Sequence, residues 1–377
     1  MKIAVPVEKD ETEPRVGASP ETVKKLIALG AEVSVAAGAG AQSLMTDDAF
    51  KDAGATIAKT NGDAISGADV ILSVRRLGSA DLKKAKSGAL HLGMLDPFSD
   101  GKGIEAMGKA GVNAFAMEFM PRITRAQVMD VLSSQANIAG YQAVIEGAAH
   151  YGRALPMMMT AAGTVPAAKV FVMGAGVAGL QAIATARRLG AVVTATDVRA
   201  AAGEQVESLG AKFIMHESLK DASGEGGYAR ELTADEQKAQ ADLVAGHIAK
   251  QDIVITTALI PGRPAPKLVS KAMVENMGPG SVIVDMAVER GGNCDVSKPG
   301  EVVDHKGVHI IGHLNLPGRL PSTASNLYAR NLYAFLETLV DKDAKALAVN
   351  WDDELVAATA LTRDGKVVHP TLIKEEA

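Results

Sequence analysis

Gly174-Ala175-Gly176-Val177-Ala178-Gly179 is the run of residues with the clearest chemical use. It follows the apolar stretch Val170–Met173 and opens a helical pattern reaching Arg188, Leu189 and Gly190, the context in which a GxGxxG run cradles a dinucleotide. Gly174 would permit the tight turn, Gly176 would let the backbone approach a pyrophosphate, and Gly179 would let the helix sit close to the strand. Val177 and Ala178 begin that helix, whose unpaired N–H groups and partial positive charge favour phosphate. Asp197, ending the next strand pattern, is placed to accept hydrogen bonds from an adenosine ribose and to repel a 2′-phosphate, which favours NAD(H) over NADP(H). Val198 and Arg199 complete the candidate set, and Arg199 keeps a second reading open, because an arginine there is also able to hold a 2′-phosphate. Without a ligand the same glycines would make a close-packed strand–helix turn, and Asp197 would cap the following helix.

A second cluster lies in Met117–Asp130 and Leu132–Asn137, where polar residues are dense between two apolar elements. Arg122, Gln127 and Asp130 offer a guanidinium, an amide and a carboxylate, a set able to hold a carboxamide and a ribose through both donors and acceptors. None is an obvious proton shuttle. The bland alternative is that Thr124-x-x-Gln127 is a capping box and that Asp130 forms a simple i−5 or i+3 surface pair with Arg125 or a neighbour.

The elements that must position these residues alternate along the chain. Ile3–Val5, Glu32–Ala36, Val70–Val74, Ala89–Leu92 and Val112–Ala116 read as strands separated by helical patterns, and a second alternating block runs from Val170–Met173 to Val308–Ile311. Ser19-Pro20 and Gly30 punctuate the first helix, and Thr46 with Gly54 brackets the second. The fold class expected is α/β, two Rossmann-like domains with parallel doubly wound sheets and a cleft between them. The first domain takes residues 1–130, completed by 322–377. The second, the NAD(H)-binding domain, takes 131–321, with one long helix over about 124–152 crossing between the two. Residues 217–231, polar and glycine-rich around Tyr228, are expected to form a mobile loop.

Composition excludes several functions. The 377 residues are 47% hydrophobic and 22% charged, ordinary for a globular chain, and the net charge of -5 provides no basic field for nucleic acid. The single Cys294 rules out an internal disulfide or a cysteine metal cluster and suits a reducing cytosol. The charge-free stretch Val170–Ala186 is broken by three glycines and is shorter than the roughly 20 apolar residues of a spanning helix.

The runs Met117–Asn137, Pro156–Thr164 and Ala195-Thr196-Asp197-Val198-Arg199 resemble the NAD(H)-binding component of proton-translocating transhydrogenase, and the likeness covers essentially the whole chain. The resemblance implies a homodimer with NAD(H) held mainly by the second domain. It also implies two partners, an NADP(H)-binding domain that receives or gives the hydride and a membrane-embedded proton-channel subunit. Location would be cytoplasmic, peripheral to the inner membrane through those partners. The family's Arg–Gln–Asp loop falls on Arg122, Gln127 and Asp130, with Ser133 as a further contact to the nicotinamide end. Tyr228 matches the tyrosine of a loop that closes over nucleotide. Such chemistry asks for two nicotinamide rings in near-attack geometry and for no metal, nucleophile or general acid from this chain.

A soluble alanine dehydrogenase is the alternative, since that class shares the two-domain fold and the start Glu13-Pro14-Arg15-Val16 before Ser19-Pro20. Its chemistry needs a lysine near the end of the strand Asp69–Val74 and a proton-moving histidine soon after. Position 75 is arginine, and His91 stands where the histidine would. An NAD sensor, the third reading, would have no need of the Arg122–Ser134 cluster.

Overall fold

A computed structural model describes residues 1–217, 233–260 and 262–373. All of the expected loop except Glu217, and Tyr228 with it, lies outside the described residues. The chain divides into two compact units, Met1–Gln135 with Pro317–Ala377, and Ala136–Leu316. The division falls inside a helix, Val131–Tyr151.

The first unit is built on six parallel strands, β1 (Lys2–Val5), β2 (Glu32–Ala36), β3 (Thr56–Ala58), β4 (Val70–Leu72), β5 (Leu90–Gly93) and β6 (Asn113–Ala116), in the order β3-β2-β1-β4-β5-β6. Ile3 is paired with Val33 on one side and Val70 on the other, all three sealed from solvent. That is why these strands read as continuous apolar runs rather than as alternating ones. The first helix, Pro20–Ala28, starts on a reciprocal Ser19–Thr22 capping box with proline in its first turn. The C-terminal segment belongs to this unit: the helix Pro321–Glu337 places Tyr328, Leu332, Phe335 and Leu336 in the same core as Leu26, Phe50 and Phe115. The tail adds two short antiparallel pairs, Val340–Asp341 with Ala346–Leu347 and Thr362–Arg363 with Lys366–Val367.

After the helix Val131–Tyr151, the second unit forms an exposed two-stranded hairpin, β7 (Met158–Thr160) and β8 (Gly163–Val165). Its sheet comprises β9 (Lys169–Met173), β10 (Val192–Thr196), β11 (Lys212–Phe213), β12 (Ile253–Thr256), β13 (Val282–Asp285), β14 (Val302–His305) and β15 (Val308–Ile311). The order is β11-β10-β9-β12-β13-β15-β14, parallel except for the edge strand β14. Strand order therefore reverses direction beside β9, the switch point at which doubly wound sheets bind ligands. The α/β doubly wound class expected from the pattern is the one observed. β3, β7, β8 and β14 are additions to the expected strands; three of them are three residues long and β14 has an alternately exposed, polar sequence, so none carries a period long enough to read.

The single helix expected over 124–152 is two elements. Thr124–Met129 is a 3-10 helix with no side-chain cap, and Val131–Tyr151 is the α-helix. Asp130 interrupts them because its carboxylate accepts the Ser133 N–H at 2.8 Å, so it caps the start of the α-helix instead of continuing a turn.

Candidate functional site

β9 delivers the chain to the glycine run, and the geometry there follows from the absence of side chains. Gly174 adopts φ +105°, and a Cβ on it would strike the Thr257 hydroxyl. That hydroxyl donates to the Met173 and Gly174 carbonyls at 3.3 and 3.2 Å and so braces the turn from β12. A Cβ on Gly179 would overlap the Gly174 carbonyl, so the helix Val177–Arg188 lies directly on the turn. Gly176 differs from both: a Cβ there meets nothing within 4 Å. It is also the helix N-cap and has no side-chain cap, which leaves the first-turn N–H groups facing open space. A tight turn, a close helix and an open face together are what a pyrophosphate needs. Val177, the first helical residue, is exposed beside this face, and Ala178 is half-buried with its carbonyl against Gly140.

Asp197 follows β10 and reaches back to the same loop. Its Oδ2 accepts the Ala175 N–H at 2.7 Å, and its Oδ1 accepts the Arg199 N–H at 2.9 Å. The Arg199 guanidinium forks onto both oxygens, Nε to Oδ1 at 2.9 Å and Nη2 to Oδ2 at 3.0 Å. Burial works against the charge, but these bonds and the cation outweigh it and hold the Asp197 carboxyl below its ordinary range. Val198 between them is exposed.

The ends of β12 and β13 are fixed by a residue the sequence reading missed. Asp285 is fully buried, and its carboxylate accepts from the Ala287, Asn293 and Cys294 N–H groups at 3.0, 3.1 and 3.0 Å, and from the Ser297 hydroxyl at 2.6 Å. Asn293, also fully buried, accepts from the Ala258 N–H and donates to the Ala258 and Pro266 carbonyls. One carboxylate thus shapes the loop after β13, and through Asn293 the loop after β12 that presents the exposed Leu259 and Ile260. Both lie at the carboxyl edge of the sheet, and the loop after β12 meets the glycine turn through Thr257. The signal available was a strand-terminal aspartate followed by Gly291-Gly292-Asn293.

The Arg122 cluster belongs to the first unit, after β6. Asp130 and Ser133 are joined, Ser133 donating its hydroxyl to Asp130 at 2.5 Å. Asn331 secures the segment by donating to the Val128 carbonyl and accepting from Ser134, both at 2.7 Å. Arg122 and Gln127 are exposed, and their side chains make no hydrogen bond among the described residues. The bland alternatives divide here: Thr124 caps nothing and Arg125 pairs with Asp353 at 2.7 Å and with Glu354, but Asp130 does take an i+3 partner, Ser133.

The family profile described as alanine dehydrogenase/PNT, C-terminal domain, matches residues 143–370, and its N-terminal counterpart matches 4–139. The first part of the NAD(P) transhydrogenase alpha subunit of Rhodospirillum rubrum is 54% identical, with both chains covered completely. The crystal structure of transhydrogenase from Sinorhizobium meliloti shares 58% identity at a TM-score of 0.88, over 98% of this chain and 100% of that one. The chain belongs to the transhydrogenase alpha-subunit family. A solved L-alanine dehydrogenase stands further off, at 26% identity and a TM-score of 0.82 over 99% of this chain and 98% of that one.

The residues on which an alanine dehydrogenase would rely are otherwise engaged in this chain. Arg75 donates from Nε to Glu13 at 2.8 Å, and Glu13 is shared with Arg15 at 2.6 Å. His91 is fully buried, meets the Ser73 hydroxyl through Nε2 at 2.8 Å, and has no partner for Nδ1 among the described residues. Burial, with Arg76 nearby, pushes its pKa down to about 3, so it stays neutral at physiological pH. An arginine in place of the lysine and a sealed histidine make no proton-transfer pair. No helix among the described residues is long and apolar enough to cross a membrane.

Proposed function

We propose that the chain is the NAD(H)-binding subunit of a proton-translocating transhydrogenase, catalysing hydride transfer between NADH and NADP⁺ held on a partner domain. The observation that carries the reading is the open face at Gly176, bounded by the bare helix N-terminus and by Asp197. Gly174, Gly176 and Gly179, with Val177 and Ala178, would hold the pyrophosphate, Asp197 the adenosine ribose, and Val198 an adenine face. The dihydronicotinamide ring supplies the hydride. The chain's own residues need only position it, since the reaction requires two ring carbons about 3–3.5 Å apart rather than an acid or base. Arg122 and Gln127, with free donors and an acceptor, would grip the nicotinamide end. Asp130 and Ser133, locked to each other, would set its ribose. Tyr228 would close over the nucleotide.

The subunit would work as a homodimer, a reading supported by the exposed Met157, Met158 and Met159 at the β7–β8 hairpin, an apolar surface suited to burial against another chain. A membrane-embedded partner would carry the proton channel and hold this subunit at the cytoplasmic face of the inner membrane.

The test mixes the purified chain with an NADP(H)-binding transhydrogenase domain and an NAD analogue, follows hydride transfer from NADPH, and runs alanine plus NAD in parallel. Rapid transfer only with both proteins present is expected. Turnover of alanine by this chain alone would replace the reading with an amino-acid dehydrogenase.

A further inference from the structure

The Asp197 carboxylate offers about four lone-pair positions, and the chain fills all of them itself. Two bonds come from the backbone N–H groups of Ala175 and Arg199 and persist whatever side chain stands at position 199. The other two come from the Arg199 guanidinium, through Nε and Nη2. A ribose diol donates two hydroxyl hydrogens, so it asks for the two positions the guanidinium occupies. The arginine faces outward: its side chain is 41% exposed and that of Asp197 is 7% exposed. Nη2 also leans on the Ala175 carbonyl at 3.4 Å, which keeps the cation against the glycine turn. A guanidinium in this position has the fork geometry that suits phosphate as well as carboxylate.

We propose that Asp197 and Arg199 form an exchange lock that sets nucleotide choice. In the empty chain Arg199 takes the acceptor positions that a ribose diol needs, and Asp197 in turn withholds Arg199 from a 2′-phosphate. The proposal rests on the reading of the glycine turn as an NAD(H) site. Arg199 is then neither a plain ribose contact nor a bystander. It is a phosphate receptor kept occupied by the neighbouring carboxylate, and Asp197 excludes NADPH both by repelling its phosphate and by neutralising a guanidinium able to welcome it.

Calorimetric titration of NADH and NADPH into the wild-type chain and three variants tests this. Asp197→Asn keeps an acceptor for the glycine turn but drops the charge that holds the guanidinium, and is expected to bind NADPH about tenfold more tightly, the gain of roughly one charge-assisted bond. Adding Arg199→Ala to that variant should abolish the gain. Arg199→Lys keeps the charge but cannot span both oxygens, and should bind NADH severalfold more tightly than wild type. Equal NADPH affinity in the single and double variants, or weaker NADH binding by Arg199→Lys, would overturn the lock while leaving the nucleotide site standing. A wild-type chain that binds neither nucleotide would overturn both.

Discussion

Glu8 makes the stability of the first unit depend on pH in a direction opposite to that of an ordinary paired carboxylate. It follows β1, and its carboxylate accepts the Val74 N–H at 2.6 Å and the Arg75 N–H at 3.1 Å. Burial raises its pKa from 4.5 to about 7, against the pull of those two amides and of Arg75, with the Glu13 charge adding to the rise. Between those two values the folded chain binds more protons than the unfolded one, so stability falls as pH rises through the interval. The difference corresponds to about 3 kcal/mol, a substantial fraction of the stability of a typical domain. Glu8→Gln removes the titration, so the difference in unfolding free energy between wild type and variant should shift by about that amount from pH 4.5 to 7.5, in favour of the variant at the upper end. The chain carries its own reporter, since its single tryptophan, Trp351, lies in the first unit and stacks on Phe115 at 5.8 Å. Urea titrations followed by Trp351 fluorescence at several pH values measure the effect, and parallel stability curves for the two proteins would refute the reasoning.

Gly179→Ala should weaken NADH binding roughly ten- to a hundredfold, the 1–3 kcal/mol of an overpacked contact, because its Cβ would overlap the Gly174 carbonyl; undiminished calorimetric affinity would contradict this. Gln127→Ala should slow hydride transfer in the reconstituted system far more than it weakens NADH binding, and equal losses would count against a positioning role. Asp130→Ala removes the cap of the helix Val131–Tyr151 and should cost about 1 kcal/mol in urea unfolding followed by Trp351, with an unchanged midpoint as the contrary result. Asp285→Ala leaves three buried N–H groups without their acceptor and should destabilise the second unit by at least about 3 kcal/mol in denaturation followed by circular dichroism; a loss below about 1 kcal/mol would show that the loop does not depend on the carboxylate.

Fold and site differed in how much of each was written locally. The glycine run and the strands around it are legible because their pattern lies within a few residues: apolar stretches too uniform for a surface, then glycines at the spacing of a phosphate-binding turn. The pairing of Arg199 was not legible, since both of its readings use the same residue at the same spacing and only the turn after β10 decides where the side chain points. Asp285 escaped for a different cause. Its partners are scattered over the following loop, and a strand ending in aspartate looks like any other until the chain folds back on it. The break at Asp130 was marked by an aspartate three residues before a serine, but the apolar spacing continued through it and masked the cap.

Gly140, on the helix Val131–Tyr151, has a consequence for how the second unit opens. A Cβ there would fall inside the Ala178 carbonyl, so two helices meet backbone to backbone with no layer of side chains on which to slide. Seven residues on, Gly147 sets the same helix against Ile253 and Val284 of the central strands. The amides of the glycine turn and its helix are therefore backed by a rigid neighbour. In native-state hydrogen exchange the hydrogen-bonded amides of that helix, from Leu180 onward, should be released together with those of residues 138–148, in one slow opening, rather than fray early as a surface loop would.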